Sequence, residues 1–142
     1  MFEYEIKNCQ WKTHQDALSM IRRKVFIEEQ SVPEDLEWDE FDKKSQHILA
    51  LNDRDEPIAT GRIRSDGHIG RMAVLKEFRN KNIGSAILLA LIELAEKNQL
   101  QSVYCFAQTS AIGFYLKYGF EVVGEEFMDA GIPHKRMFKN LK

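Results

Sequence analysis

Cysteine is scarce in this chain. Two occur in 142 residues, Cys9 and Cys105, far apart and without CxxC spacing, so neither a disulfide framework nor a zinc site is expected. Three prolines and eight glycines are too few for a collagen-like or low-complexity chain. There is no surplus of one charge: 20 Lys and Arg against 22 Asp and Glu leave a net charge of −2. That balance argues against the phosphate-neutralising excess that non-specific nucleic-acid binding requires. The longest uncharged apolar stretch, residues 83–92, falls far short of the roughly 20 residues of a membrane span. The first residues show no apolar core of signal-peptide length behind a basic start. A cytoplasmic protein with no membrane and no nucleic-acid partner is the resulting expectation. The patterns GxxxxGK[ST], GxGxxG, HExxH and GxSxG are also missing. With them go the phosphate loop of nucleotide hydrolases, the dinucleotide fingerprint, the zinc-protease helix and the hydrolase elbow, and no metal is expected.

What is present suffices for one domain. The chain is 44% hydrophobic and 30% charged, and a chain of this length removes about 68–70% of its unfolded surface from water. No repeat or linker divides it, so residues 1–142 read as a single domain. Phe2, Tyr4 and Ile6 alternate with polar residues as in a strand. Ala17, Leu18, Ile21, Val25 and Phe26 predict a helix over 14–29 with Thr13 as its N-cap. Strands are expected over 46–51, 57–63 and 68–74, an antiparallel meander with turns near 52–55 and at Asp66-Gly67. An apolar helix over 82–98 must be covered on more than one side. A strand over 100–107, a shorter helix over 109–118 stopped by Gly119, and strands over 121–128 and 134–141 complete the order. Strand–helix–strand passages imply a parallel pair within a mixed sheet. The fold class is α/β (α+β), a mostly antiparallel sheet of about seven strands flanked by helices.

Two stretches carry chemistry. Arg79, Asn80, Lys81, Asn82, Ile83, Gly84 and Ser85 join a strand to a helix start. Free backbone N–H groups at a helix N-terminus, reinforced by two cations, suit an anion such as a pyrophosphate. Gly84 permits close approach, and Asn82 tolerates a left-handed backbone. An ordinary polar loop has the same composition. The second stretch, residues 28–42, holds eight carboxylates and no Lys or Arg, and reads as a loop broken at Pro33. Such a concentration attracts an amine cation, which makes Glu28 and Glu29 candidate acceptor-binding groups. Trp38 either anchors this segment on the core or walls an acceptor pocket. A solvated acidic loop is the other reading.

Arg79-x-x-Asn82-x-Gly84-Ser85 resembles the Q/R-x-x-G-x-G/A coenzyme A loop of the GNAT N-acetyltransferases, and it follows a strand ending Met72-Ala73-Val74 at the family's usual distance. Gln108 to Phe120, with Ala111, Phe114, Tyr115, Lys117 and Gly119 in step, resembles the family's N-x-x-A-x-x-F-Y-x-K-x-G-F segment. Residues 25–30 and 129–134 are similar to a small bacterial YjcF/ElaA-like branch. Asn82 in place of a loop glycine and Gln108 in place of asparagine are departures that loosen the detailed geometry.

The resemblance covers essentially the whole chain and implies a splayed parallel pair of the fourth and fifth strands that takes acetyl-CoA as cosubstrate. Met72, Ala73 and Val74 would line its pantetheine arm, the loop from Arg79 to Ser85 would hold its pyrophosphate, and Gln108 would face it. Acetyl transfer to a primary amine by direct attack needs a base, an oxyanion donor and an acid for the thiolate. Tyr115 matches the family's tyrosine near the sulfur. His68 falls where some members carry a catalytic glutamate, and imidazole suits a base at neutral pH. Glu28, Glu29 or a water chain could serve instead. The implied partner is a small-molecule amine, and homodimers are common in such a family. A catalytically idle acyl-CoA sensor and a protein lysine or N-terminal acetyltransferase are alternative readings of these motifs.

Overall fold

Four strands whose side chains alternate between two apolar cores form the first sheet. In a computed structural model, which describes residues 2–142, its order is β1 (Tyr4–Gln10), β2 (Gln46–Asn52), β3 (Pro57–Ile63) and β4 (Ile69–Val74), all antiparallel. A second antiparallel sheet has the order β5 (Ser102–Gln108), β7 (Ile132–Asn140) and β6 (Glu121–Asp129). One parallel bridge, His68 to Tyr104, joins the two, and the Tyr104 N–H donates to the Gly67 carbonyl at 3.0 Å. Among the described residues no further bridge links β4 to β5. Their facing edges therefore keep backbone donors and acceptors free for another partner.

Helices close both faces of the first sheet. α1 (Trp11–Arg22) lays Leu18 and Ile21 on Leu49, Ala73 and Leu75. On the opposite face α3 (Ile83–Lys97) packs Ile87, Leu88 and Leu91 against Ile48, Ala50, Ile58 and Val103. The neighbours Ile48 and Leu49 thus feed different cores, as a two-residue period requires. Each fully buried Leu or Ile contributes about 1.5–3 kcal/mol. Gly61 sets the seating of α3: a methyl there would lie 2.7 Å from Ile87 Cγ2 and 2.8 Å from Leu91 Cδ1.

Several local expectations need correction. α1 begins at Trp11 rather than near residue 14, and His14 sits at a kink (φ −132°, ψ 23°). Thr13 caps nothing; its hydroxyl donates to the Gln10 carbonyl at 3.1 Å. Beyond Arg22 the helix widens into a π-helical segment, Arg23–Glu29, and the Gln30 N–H reaches back to the Val25 carbonyl. The acidic stretch contains α2 (Glu34–Glu37) and a 3-10 turn, Asp42–Lys44. The short helix after β5 divides into a 3-10 turn, Thr109–Ala111, and α4 (Ile112–Leu116).

One irregularity positions the site. Thr60 pairs with Ala73 and Arg62 with Gly70, so Gly61 alone opposes both Arg71 and Met72. This is a β-bulge in β4, and Arg71 takes a left-handed φ of 52° within it. A bulged residue leaves the ladder and re-aims its side chain and backbone.

Candidate active site

The divergence of β4 from β5 opens a cleft of about 550 Å³. Met72, Ala73, Val74 and Arg79 line it from β4 and the loop beyond, Cys105, Ala107 and Gln108 from β5, and Phe114 and Tyr115 from α4. Phe26, Gln30, Leu36 and Glu37 close the side formed by the π-helical and acidic segments.

At one end lies the loop. Asn82 adopts a left-handed backbone (φ 63°) immediately before α3, as does Asn80 (φ 64°). That conformation turns the chain into the helix, leaving the N–H groups of Ile83, Gly84 and Ser85 without partners in the helix ladder. A methyl on Gly84 would meet nothing closer than 3.9 Å. The protein's own packing therefore does not demand glycine there, and the bare Cα keeps the three N–H groups open to an anion. Asn80 and Lys81 are exposed, Ser85 is half-buried, and Lys81 Nζ stands 5.3 Å from the Phe2 ring. Arg79 donates through Nε to the Val74 carbonyl at 2.9 Å, and through both terminal nitrogens to the Glu29 carboxylate at 2.6 Å each. That fork holds the Glu29 carboxyl below its ordinary pKa.

Near the seam, the Tyr115 hydroxyl donates to Met72 Sδ at 3.6 Å, and its ring packs edge-on against Phe114 and Phe120. Burial pushes the Tyr115 hydroxyl well above its ordinary pKa, and burial also raises the Cys105 thiol to about 12. Gln108 Nε2 donates to Gln30 Oε1 at 2.9 Å, tying the end of β5 to the residue after the π-helical segment.

His68 lines the cleft too. Its ring stacks on Tyr104 (4.8 Å, 4°) and meets the Phe106 edge at 4.8 Å. Arg64 Nη1 lies 3.4 Å from its Nδ1. Burial, then Arg64 and Arg62, push its pKa down to about 4. The imidazole is neutral at physiological pH, but its surroundings oppose the positive charge that a base acquires.

The acidic segment differs most from expectation. Five of its eight carboxylates, Glu29, Glu34, Glu37, Asp39 and Asp42, sit in ion pairs. Arg22, 1% exposed, donates to Glu37 Oε2 at 2.7 Å and Asp42 Oδ1 at 2.6 Å. Arg62, 2% exposed, donates to the same Asp42 oxygen at 2.9 Å and to Asp39 at 2.8 Å. Arg71, from the bulge, reaches Asp39 Oδ2 at 3.2 Å and the Glu37 carbonyl at 3.1 Å. Glu37, Asp39 and Asp42 thus serve as counter-ions of Arg22, Arg62 and Arg71, whereas Glu29 and Glu34 are exposed. Trp38 is an anchor and not a wall of the cleft: the Arg22 guanidinium lies over its ring at 5.1 Å and over Trp11 at 5.4 Å. Glu28 is exposed, forms no ion pair among the described residues and does not line the cleft. Arg71, Glu37, Phe106 and His134, which line the cleft, were not selected by sequence. Arg71 and Glu37 lie 34 residues apart, so no local pattern marks the pair.

A family model described as an acetyltransferase (GNAT) domain matches residues 10–141. The chain belongs to the GNAT acetyltransferases. This GNAT chain is 40% identical over 124 residues to the uncharacterized N-acetyltransferase YjcF of Bacillus subtilis, covering 84% of this chain and 88% of YjcF. Among solved structures it resembles Escherichia coli ElaA (TM-score 0.85, 28% identity, 96% of this chain and 99% of that one). It also resembles an acyl-CoA N-acyltransferase from Pseudomonas aeruginosa (TM-score 0.85, 27% identity, 98% and 99%). The seven strands, the flanking helices and the splayed parallel seam are those of a GNAT fold.

Proposed function

We propose that this GNAT domain moves an acetyl group from acetyl-CoA to a primary amine of a small molecule by direct attack. The observation that carries the reading is one continuous cleft, running from Arg79 and Val74 at the loop to Tyr115, Cys105 and His68 at the seam. Its volume falls in the range of small-molecule sites.

Acetyl-CoA, when bound, supplies an acetyl group activated as a thioester and a thiol as leaving group. The N–H groups of Ile83, Gly84 and Ser85 hold the pyrophosphate, and Arg79 joins them by exchanging Glu29 for phosphate oxygen. The unpaired β4 edge at Met72, Ala73 and Val74 pairs with the amides of the extended arm, with Gln108 opposite. Backbone N–H at the Arg71–Met72 bulge would stabilise negative charge on the acetyl oxygen. Tyr115 keeps its proton across the physiological range because its anion would be buried. Burial raises the Cys105 thiol in the same cleft; a thiolate released beside it would be desolvated likewise, and Tyr115 would supply its proton.

The loop assignment is tested by Gly84→Glu, which sets a carboxylate against the three N–H groups. CoA affinity measured by calorimetry is expected to fall at least tenfold with the circular dichroism spectrum unchanged. Undiminished affinity would remove the loop from the site.

A further inference from the structure

Direct attack requires a group that takes the ammonium proton of the acceptor, and the geometry points to His134, through Nε2, as that base. The inference rests on the acetyl-transfer reading above. His134 lies opposite Gln108 of β5 and Phe127 of β6. Cross-strand partners share a sheet face, so its ring stands on the same side as the Gln108 side chain. Its Nδ1 is 2.7 Å from the Ile132 carbonyl oxygen. A carbonyl only accepts, so Nδ1 carries the hydrogen and the neutral ring keeps its lone pair on Nε2. No group among the described residues hydrogen-bonds Nε2. The ring stacks on Phe127 at 5.8 Å and 23°. The residue is only 8% exposed yet lines the cleft, and with Nδ1 engaged, Nε2 is the ring nitrogen left free.

The second cleft imidazole, His68, is held between two rings beside Arg64, and added positive charge is opposed there. The charges that share the cleft with His134 are Asp129, Glu37, Arg71 and Arg79. Glu29 neutralises Arg79, and Glu37 and Asp39 face Arg71. Asp129, two residues beyond Phe127 on β6, forms no ion pair among the described residues. Lys135 and Arg136 follow on the strand of His134 itself. In the reaction His134 takes the ammonium proton and passes it to solvent. The amine lone pair closes the C–N bond as the C–S bond breaks with its electron pair on sulfur. Tyr115 gives its proton to that sulfur and recovers, by way of solvent, the second proton shed by nitrogen. One proton is released per turnover.

Two measurements test this. Imidazole-nitrogen NMR of the unliganded protein, followed over pH, is expected to show the neutral His134 ring with its hydrogen on Nδ1 and Nε2 bare; a neutral ring with its hydrogen on Nε2 overturns the assignment. His134→Asn keeps a donor for the Ile132 carbonyl and removes Nε2. With acetyl-CoA and phenethylamine or putrescine as probes, kcat/KM is expected to fall about a hundredfold and to lose its acidic limb, with CoA affinity unchanged. A variant that keeps the wild-type acidic limb overturns His134 alone. A wild type that binds CoA yet acetylates neither amine overturns the acetyl-transfer reading and His134 with it.

Discussion

A phenol buried beside a thioether and a thiol is held in its protonated form, and Tyr115 is in that position. Replacing its hydroxyl with hydrogen removes a proton donor without changing the ring that packs on Phe114 and Phe120. Tyr115→Phe is therefore expected to lower kcat by about a hundredfold or more while leaving CoA affinity within about twofold; steady-state rates and a CoA titration check both halves. Tyr115 stands out in the sequence because its motif is contiguous, running from the end of β5 through the 3-10 turn and α4 to Phe120. Asn82 was visible for a different reason: few residues other than glycine tolerate a left-handed backbone, and its φ of 63° uses that tolerance. The bulge was invisible by the same logic, since Arg71 takes φ 52° with no glycine to announce it. His68 sits one residue before β4; Arg64 reaches it from the same turn, but Tyr104 and Phe106 come from β5 across the fold, and together they decide its chemistry.

At the scale of elements, periodic patterns foretold the strands and α3 closely, whereas the segment between α1 and β2 was misjudged. Charge composition alone makes it a solvated acidic loop. In the fold, three of its carboxylates are bound by arginines from α1, β3 and β4, partners 15 to 34 residues distant in sequence. Nothing local encodes such pairing. Asp42 is shared by Arg22 and Arg62, and Arg62 Nε already lacks a partner. Asp42→Ala takes a shared counter-ion from two buried guanidinium groups, leaving Arg22 with Glu37 and Arg62 with Asp39, and is expected to cost about 3–5 kcal/mol, read as a lowered urea midpoint with an unchanged slope. A loss under about 1 kcal/mol, the level of an exposed pair, would return the segment to a surface role. The network also ties the cleft wall to the β4 bulge through Arg71, so the same variant is expected to raise KM for the acceptor.

Across the whole molecule, a net charge of −2 conceals two opposed regions that meet at one place. The basic loop and the acidic segment are joined by Arg79 and Glu29, whose bidentate contact occupies the guanidinium expected to serve phosphate. On the proposed reading, acetyl-CoA has to displace a carboxylate from Arg79. Glu29→Gln is expected to tighten CoA binding roughly two- to tenfold, the scale of an exposed ion pair, and to steepen its salt dependence; looser binding would make Glu29 a partner of the ligand instead. Fold, seam and loop follow from patterns that a single chain displays, while the cleft wall beside the acidic segment is assembled from residues that only the folded molecule brings together. The central claim is acetyl transfer within one continuous cleft. Amine-dependent release of thiol from acetyl-CoA, followed with a panel of small primary amines, tests it most directly. The wild type is expected to release one thiol per acetylated amine, and Tyr115→Phe to bind CoA equally well with little release. Tight CoA binding with no thiol released for any amine would contradict the account and make the domain an acyl-CoA sensor.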